Sequence, residues 1–315
     1  MTALHAIVLG AGAGGGFPQW NSAGAGCRRA RAGDPAAAAR TQASLAVSGD
    51  GGRRWALLNA APDLPAQLRA TPALHPRPEG GAIRHSPIAA AVLTGAEVDT
   101  IAGLLSLRER HAFALYGAGP ALAALADNPI FNVLDPALVP RRPLPLGRTF
   151  ALRDAAGDEF GLQVEAFAVP GKVALFREAG GSDPGRADTG DTIGLRLSAG
   201  TGGDALFFIP GCAALTEELR DRLRGAACVF FDGTLWRDDE MLRAGAGTKT
   251  GARMGHMSLD GPGGTLAGFA GLGVRRRVLI HLNNTNPVLL ADSPERAAVA
   301  AAGWEVAEDG MEVRL

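Results

Sequence analysis

The feature that most constrains this chain is a series of short, mostly apolar runs, each of which stops at a loop holding glycines or polar residues. Residues 4–9, 88–93, 193–197, 205–209, 228–231 and 277–282 are runs of this kind. Each is far below the roughly 18 apolar residues of a membrane span. Runs of this length bounded by turn signals read as buried strands. Segments 44–47 and 55–59 flank Ser48-Gly49-Asp50-Gly51-Gly52 and predict a hairpin. After residue 93 an acidic loop leads into a helix with Ile101, Leu104 and Leu105 on one face. The second half repeats the strand-then-helix theme, with a helix over 216–224 and a short helix over 294–302 whose proline falls in the tolerated first turn. Residues 304–306 and 311–313 read as a closing hairpin around Asp309-Gly310. Residues 141–191, rich in Pro, Gly and Asp, read as an insertion with a mobile loop near 180–191. Two similar halves that mix hairpins with strand–helix units predict a layered α/β sandwich.

Charge and composition narrow the function classes. Lys+Arg 31 against Asp+Glu 32 gives a net charge of -1, which offers no basic field for nucleic acid or an anionic membrane. An anionic ligand must then be held by a few local groups. Three cysteines without a C-x-x-C spacing give neither a disulfide framework nor an all-thiolate zinc site. The first residues run straight into a strand without a basic n-region and cleavage site, so a cytoplasmic protein is expected. Six histidines, with no H-x-H or H-E-x-x-H, mean that any metal must lean on carboxylates.

Gly10-Ala11-Gly12-Ala13-Gly14-Gly15 satisfies G-x-G-x-x-G formally, but Phe17-Pro18-Gln19-Trp20-Asn21 is a poor helix start and no acidic strand end follows at the right distance. The segment reads instead as a glycine loop that lets the backbone approach a neighbouring strand or a ligand closely. There is no G-x-S-x-G elbow and no cysteine near a histidine in sequence, so covalent catalysis is not indicated.

Chemistry in α/β proteins gathers on the loops that leave strand C-termini. Here those loops carry Glu97 and Asp99, then Asp232, then Lys249 and His256, then His281, Asn283 and Asn284. Each has an ordinary structural reading as well. Glu97 and Asp99 suit a helix N-terminus, Asp232 suits a turn before Gly233, and His281 suits a core histidine with a hydrogen-bond partner. Taken together, carboxylates and two histidines on successive strand ends form a mixed N/O site with open positions, suited to non-haem Fe(II) or zinc.

The blocks GGGFPQWN at 14–21, RTQAS at 40–44, LTGAEVDTIAGLLSLRE at 93–109, DGTLWRDDEMLR at 232–243, MGHMSLDGPGG at 254–264 and IHLNNTNPVL at 280–289 span most of the chain. They resemble the metallo-β-lactamase superfamily and, within it, the B proteins of pyrroloquinoline quinone biosynthesis. The resemblance implies one domain over 1–315, a four-layer αββα sandwich of two similar halves. The superfamily's T-H-x-H-x-D-H motif falls on residues 94–100, with Gly95, Glu97 and Thr100 at its histidine positions and Asp99 retained. Its last histidine falls on His281, and the hydrolases' bridging aspartate near Gly211 or Cys212. A two-zinc hydrolase is therefore not the expected outcome. Of a cysteine cluster common in relatives only Cys27 is present, so no structural zinc is expected.

The implied role is in making pyrroloquinoline quinone from a cross-linked glutamate–tyrosine precursor. One version is an iron-dependent oxygenase that hydroxylates the tyrosine ring. The alternatives are a non-catalytic carrier moving the quinone or its precursor toward the periplasm, and a zinc hydrolase. In the oxygenase version Glu97, Asp99 and His281 hold Fe(II), with zinc as the other candidate metal. Asp232 and His256 then act as a further ligand or as acid and base, and open positions take dioxygen and substrate. Arg40 and Lys249 are the cations expected to meet the small anionic substrate, with Gln42, Asn283 and Asn284 as neutral partners. Other proteins of the same biosynthesis, and a second copy of the chain in a homodimer, are the protein partners this reading allows.

Overall fold

A computed structural model describes residues 3–77, 83–178, 190–200 and 202–315. In chain order its strands are β1 (His5–Gly10), β2 (Ser44–Ser48), β3 (Trp55–Leu58), β4 (Ile88–Val92), β5 (Ala114–Gly117), β6 (Arg141–Pro143), β7 (Thr149–Arg153), β8 (Glu159–Ala168), β9 (Ile193–Ala199), β10 (Ala205–Ile209), β11 (Cys228–Asp232), β12 (Arg276–Ile280), β13 (Glu305–Val306) and β14 (Glu312–Arg314). They form two seven-stranded sheets, ordered β14-β1-β2-β3-β4-β5-β6 and β13-β12-β11-β10-β9-β8-β7.

Period-2 alternation decides what each strand buries. Along β1, Ala6 and Val8 point into the core shared by both sheets, while Ile7 and Leu9 point to the other face. The shared core joins Leu45, Val47 and Val92 of the first sheet to Leu162, Leu195, Phe208 and Phe230 of the second. On the outer face of the first sheet Ile7, Leu57 and Leu115 pack with Leu64, Leu104 and Leu125, which come from helical segments. Burial of each such side chain contributes about 1.5–3 kcal/mol. The layers are those of the expected α/β sandwich. No helix among the described residues is long and apolar enough to cross a membrane.

The 44–59 hairpin forms as expected, with Leu45 opposite Leu58. The helices expected near 216–224 and 294–302 are Glu217–Leu223, capped by the Thr216 side chain on Leu219 N, and Pro294–Ala301, capped by Ser293 on Arg296 N. They are the crossovers from β10 to β11 and from β12 to β13, and with β11 and β12 also parallel the C-terminal ends of β10, β11 and β12 meet at one edge.

Two expectations are corrected. Residues 304–313 are not a hairpin: β13 pairs with β12 in the second sheet, and β14 crosses to pair antiparallel with β1 in the first. The Asp309 carboxylate accepts from Ala11 N at 3.1 Å, Thr41 N at 2.8 Å and Thr41 Oγ1 at 2.7 Å, which ties the turn to both approaching segments. Nor is 141–191 wholly an insertion, because β7 and the ten-residue β8 complete the second sheet beside β9. Most of the loop expected at 180–191 lies outside the described residues. The glycine loop after β1 does allow close backbone approach: Gly12 bridges to both Gln42 and Leu282, and a Cβ on Gly10 would lie 2.2 Å from Gln42 O.

Candidate metal centre

The strand β11 ends in Asp232, whose side chain is fully buried. A buried carboxylate needs hydrogen-bond donors. It has four: Cys212 N at 2.8 Å and His256 Nδ1 at 2.7 Å on Oδ2, with Thr234 N at 3.0 Å and Thr234 Oγ1 at 2.6 Å on Oδ1. His281 directly follows β12 and takes a left-handed φ of 61°. Its Nδ1 lies 2.8 Å from Thr234 Oγ1 and its Nε2 3.0 Å from Asp99 Oδ2. The His256 and His281 rings stack with centroids 5.2 Å apart. Among the described residues, Asp232, His256 and His281 each offer a ligand atom within 4.8 Å of the others.

The electrostatics follow from this packing. Burial pushes the Asp99 carboxyl up, but the hydrogen bond and charge of His281, with the charge of His256, outweigh it and hold the group below its ordinary range. Asp232 is likewise raised by burial and lowered further by His256, His281 and Thr234, with a net fall. For His281 burial favours the neutral ring, yet Asp99, then Asp232 and Glu97, raise its pKa. Burial next to Asp232 drives the Cys212 thiol far up, so it stays protonated and is no thiolate donor.

The group lies at an open cleft of about 970 Å³. Gln42, Glu97, Asp99, Lys249, His256, His281 and Asn283 line it, and Asp232 sits buried against His256. The trio Glu97, Asp99 and His281 does not stay together. Asp99 remains on His281, whereas Glu97 accepts hydrogen bonds from Lys172 Nζ and from Leu175 N at 3.3 Å. Asp232 and His256 complete the donor group instead. Gly211 and Cys212, on which the hydrolases' bridging-aspartate position falls, bring no carboxylate; Cys212 supplies its backbone N–H to Asp232 of the neighbouring strand.

Arg40 and Asn284 are not on the cleft wall. Arg40 is 5% exposed, and its guanidinium donates to Ala307 O at 3.2 Å, Ala38 O at 3.0 Å, Ala39 O at 2.9 Å and Glu308 Oε1 at 2.7 Å. Asn284 donates to Gln19 Oε1 and accepts from Cys27 Sγ at 3.7 Å. Gln42 reaches the cleft, but its amide is held by Gly15 N at 2.9 Å and Asp63 Oδ2 at 2.9 Å. Sequence reasoning missed Thr234 and Lys172. Thr234 stands two residues after Asp232, a spacing that in extended chain returns to the same side. Lys172 has no comparable signal.

Residues 54–282 match the beta-lactamase superfamily domain. The chain is 59% identical to the coenzyme PQQ synthesis protein B of Gluconacetobacter diazotrophicus, over 98% of this chain and 99% of that one. It is 54% identical to the protein of the same name from Gluconobacter oxydans, over 99% of both chains. Among solved structures, zinc-bound PqqB from Methylobacterium extorquens superposes with a TM-score of 0.92 at 48% identity, over 99% of this chain and 100% of that one. A diphosphatase of the PhnP family, at 18% identity and a TM-score of 0.67 over 99% and 97% of the two chains, shares the fold.

Proposed function

The chain belongs to the coenzyme PQQ synthesis protein B family of the beta-lactamase superfamily, and on that premise we propose that it serves pyrroloquinoline quinone biosynthesis as an iron-dependent oxygenase, hydroxylating the tyrosine ring of the cross-linked glutamate–tyrosine precursor. The observation that carries this reading is the Asp232, His256 and His281 group beside an open cleft. Two imidazoles and one carboxylate are the donor set of non-haem Fe(II) oxygenases, and zinc accepts the same ligands. A zinc-bound relative at 48% identity supports a metal in this family. Asp232, His256 and His281 would hold the ion, and Fe(II) there would supply the activation of dioxygen.

The chain's own residues do the rest. Thr234 Oγ1, 2.8 Å from His281 Nδ1, and Asp232 Oδ2, 2.7 Å from His256 Nδ1, fix the orientation of the imidazoles and leave Nε2 of each for the ion. Lys249 offers a cation to a substrate carboxylate, whereas Asn283, also on the cleft, spends its Nδ2 on Thr285 Oγ1 at 2.6 Å and Met241 Sδ at 3.0 Å. Val98, Leu175 and Phe176 give the cleft an apolar wall against which an aromatic ring can exclude water.

The test is oxygen uptake. Protein loaded anaerobically with Fe(II) is mixed with the cross-linked diamino acid, dioxygen and an added two-electron reductant. Oxygen consumption coupled to a hydroxylated ring is the expected result. No uptake, with tight binding of the finished quinone that survives Asp99→Ala, would identify a carrier instead. A hydrolase would need two zinc ions per chain by elemental analysis.

A further inference from the structure

The cleft holds a second charged cluster that the metal chemistry leaves without a role. Lys172, in the segment after β8, places its ammonium on the Glu97 carboxylate and stands 3.8 Å from Glu178 Oε1. The same Glu97 accepts from Leu175 N at 3.3 Å. Both partners line the cleft and remain open to it, with side chains 19% and 34% exposed. The Lys172 stem lies against Gly255, where an added Cβ would be 3.0 Å from Lys172 Cγ, so the residue before His256 packs directly on this side chain.

Three physical points give the pair a meaning. A carboxylate already bound to an ammonium is a poor donor to a metal. A partly exposed ion pair on the wall of an open cleft contributes only modestly to stability, so the fold alone does not require it. And a carboxylate beside an ammonium, in direct contact, is the complement of the two charges an amino acid carries on one carbon. A ligand can exchange into such a pair, its ammonium to Glu97 and its carboxylate to Lys172, without leaving any charge uncompensated in the cleft. Val98, Leu175 and Phe176, which are 59%, 57% and 48% exposed on the same wall, lie ready for the side chain of an aromatic amino acid.

We propose that Glu97 and Lys172 form a zwitterion-exchange subsite that binds the α-ammonium and α-carboxylate of an amino-acid substrate, and that Glu97 is a specificity residue rather than a metal ligand. The subsite rests on the oxygenase reading only for which amino acid is bound.

Calorimetric titration of the zinc-loaded protein with the cross-linked glutamate–tyrosine diamino acid and with its N-acetylated form tests this without turnover. Wild type is expected to bind the free diamino acid at least about tenfold more tightly than the acetylated one, as loss of a charge-assisted hydrogen bond implies. Glu97→Gln should bring the free form down to the acetylated one while leaving zinc affinity unchanged, and Lys172→Gln should weaken both. The double variant Glu97→Lys with Lys172→Glu keeps the ion pair, and with it any brace on the 172–175 segment, but transposes its charges. It should bind about tenfold more weakly, whereas wild-type affinity in this variant would show a brace and overturn the subsite. Equal binding of the two ligands by wild type would also overturn it and leave the oxygenase reading standing. Binding of neither ligand would overturn the substrate assignment and the subsite together, and loss of zinc in Glu97→Gln would return Glu97 to the metal.

Discussion

Thr234 shows how much of this site one small side chain decides. A hydroxyl has one proton and two lone pairs, and this one lies 2.6 Å from Asp232 Oδ1, 2.8 Å from His281 Nδ1 and 3.1 Å from His256 Nδ1. With its proton on the ionised Asp232, it accepts Nδ1–H from His281 and fixes that ring, while the Nδ1–H of His256 goes to Asp232 Oδ2 at 2.7 Å, in a carboxylate that Thr234 itself holds. Thr234→Val keeps the volume and removes the hydroxyl, and metal affinity measured by titration is expected to fall about 10–100-fold. Thr234→Ser should recover most of it. Unchanged affinity in the valine variant would remove Thr234 from the site. Asp232 and His281 were legible in sequence because polar residues ending apolar strands stand out, and His256 because it lies in the long loop between those two strands. Thr234 was not, since threonine is as ordinary in a turn as at a metal site.

At the level of elements, the crossing of the chain between sheets explains why Arg40 holds structure rather than substrate. The β13–β14 connection is gripped by the segment before β2: Arg40 donates to Ala307 O and Glu308, and Thr41 donates to Asp309. Arg40→Met would leave buried carbonyls without donors, and a loss of about 2–4 kcal/mol in denaturant unfolding is expected. Metal affinity of the folded variant should stay at the wild-type value, and a fall in it without a loss of stability would place Arg40 in the site after all. The 44–59 hairpin was readable because its Gly-rich turn acts locally. The Asp309-Gly310 turn has the same local chemistry, but whether its two strands pair with each other depends on the edges offered by β1 and β12, far away in sequence.

For the molecule as a whole, the site couples stability to pH. Ile193 N donates to Thr94 O at 2.9 Å, joining the second sheet to the loop that carries Asp99, which in turn meets His281. In the metal-free protein His281 has a pKa raised above 6.5, so its contribution is complete below that value and is lost as pH rises through the folded-state value. Asp99 and Asp232, lowered from 3.8, contribute above that value and lose their part as pH falls through their folded-state values. The melting temperature of metal-free protein should therefore fall as pH is taken upward from about 6.5, and His281→Gln should remove that slope. Metal binding must displace the same proton, so metal affinity should rise with pH over the same range. A flat melting profile in the metal-free wild type would contradict the His281 assignment.

The sequence by itself determined most of the strands, though not β5, β6 or the separation of β13 from β14, together with a layered sandwich and the residue types waiting at the strand ends, because apolar periodicity and turn chemistry act between near neighbours. Only the tertiary structure decided the pairings: Glu97 with Lys172, Asp232 with His256 and His281, and Arg40 with backbone carbonyls. Those choices depend on which side chains two packed sheets bring within hydrogen-bond reach, and Asp99 and His281, 182 residues apart, meet only once both sheets have closed on their common core.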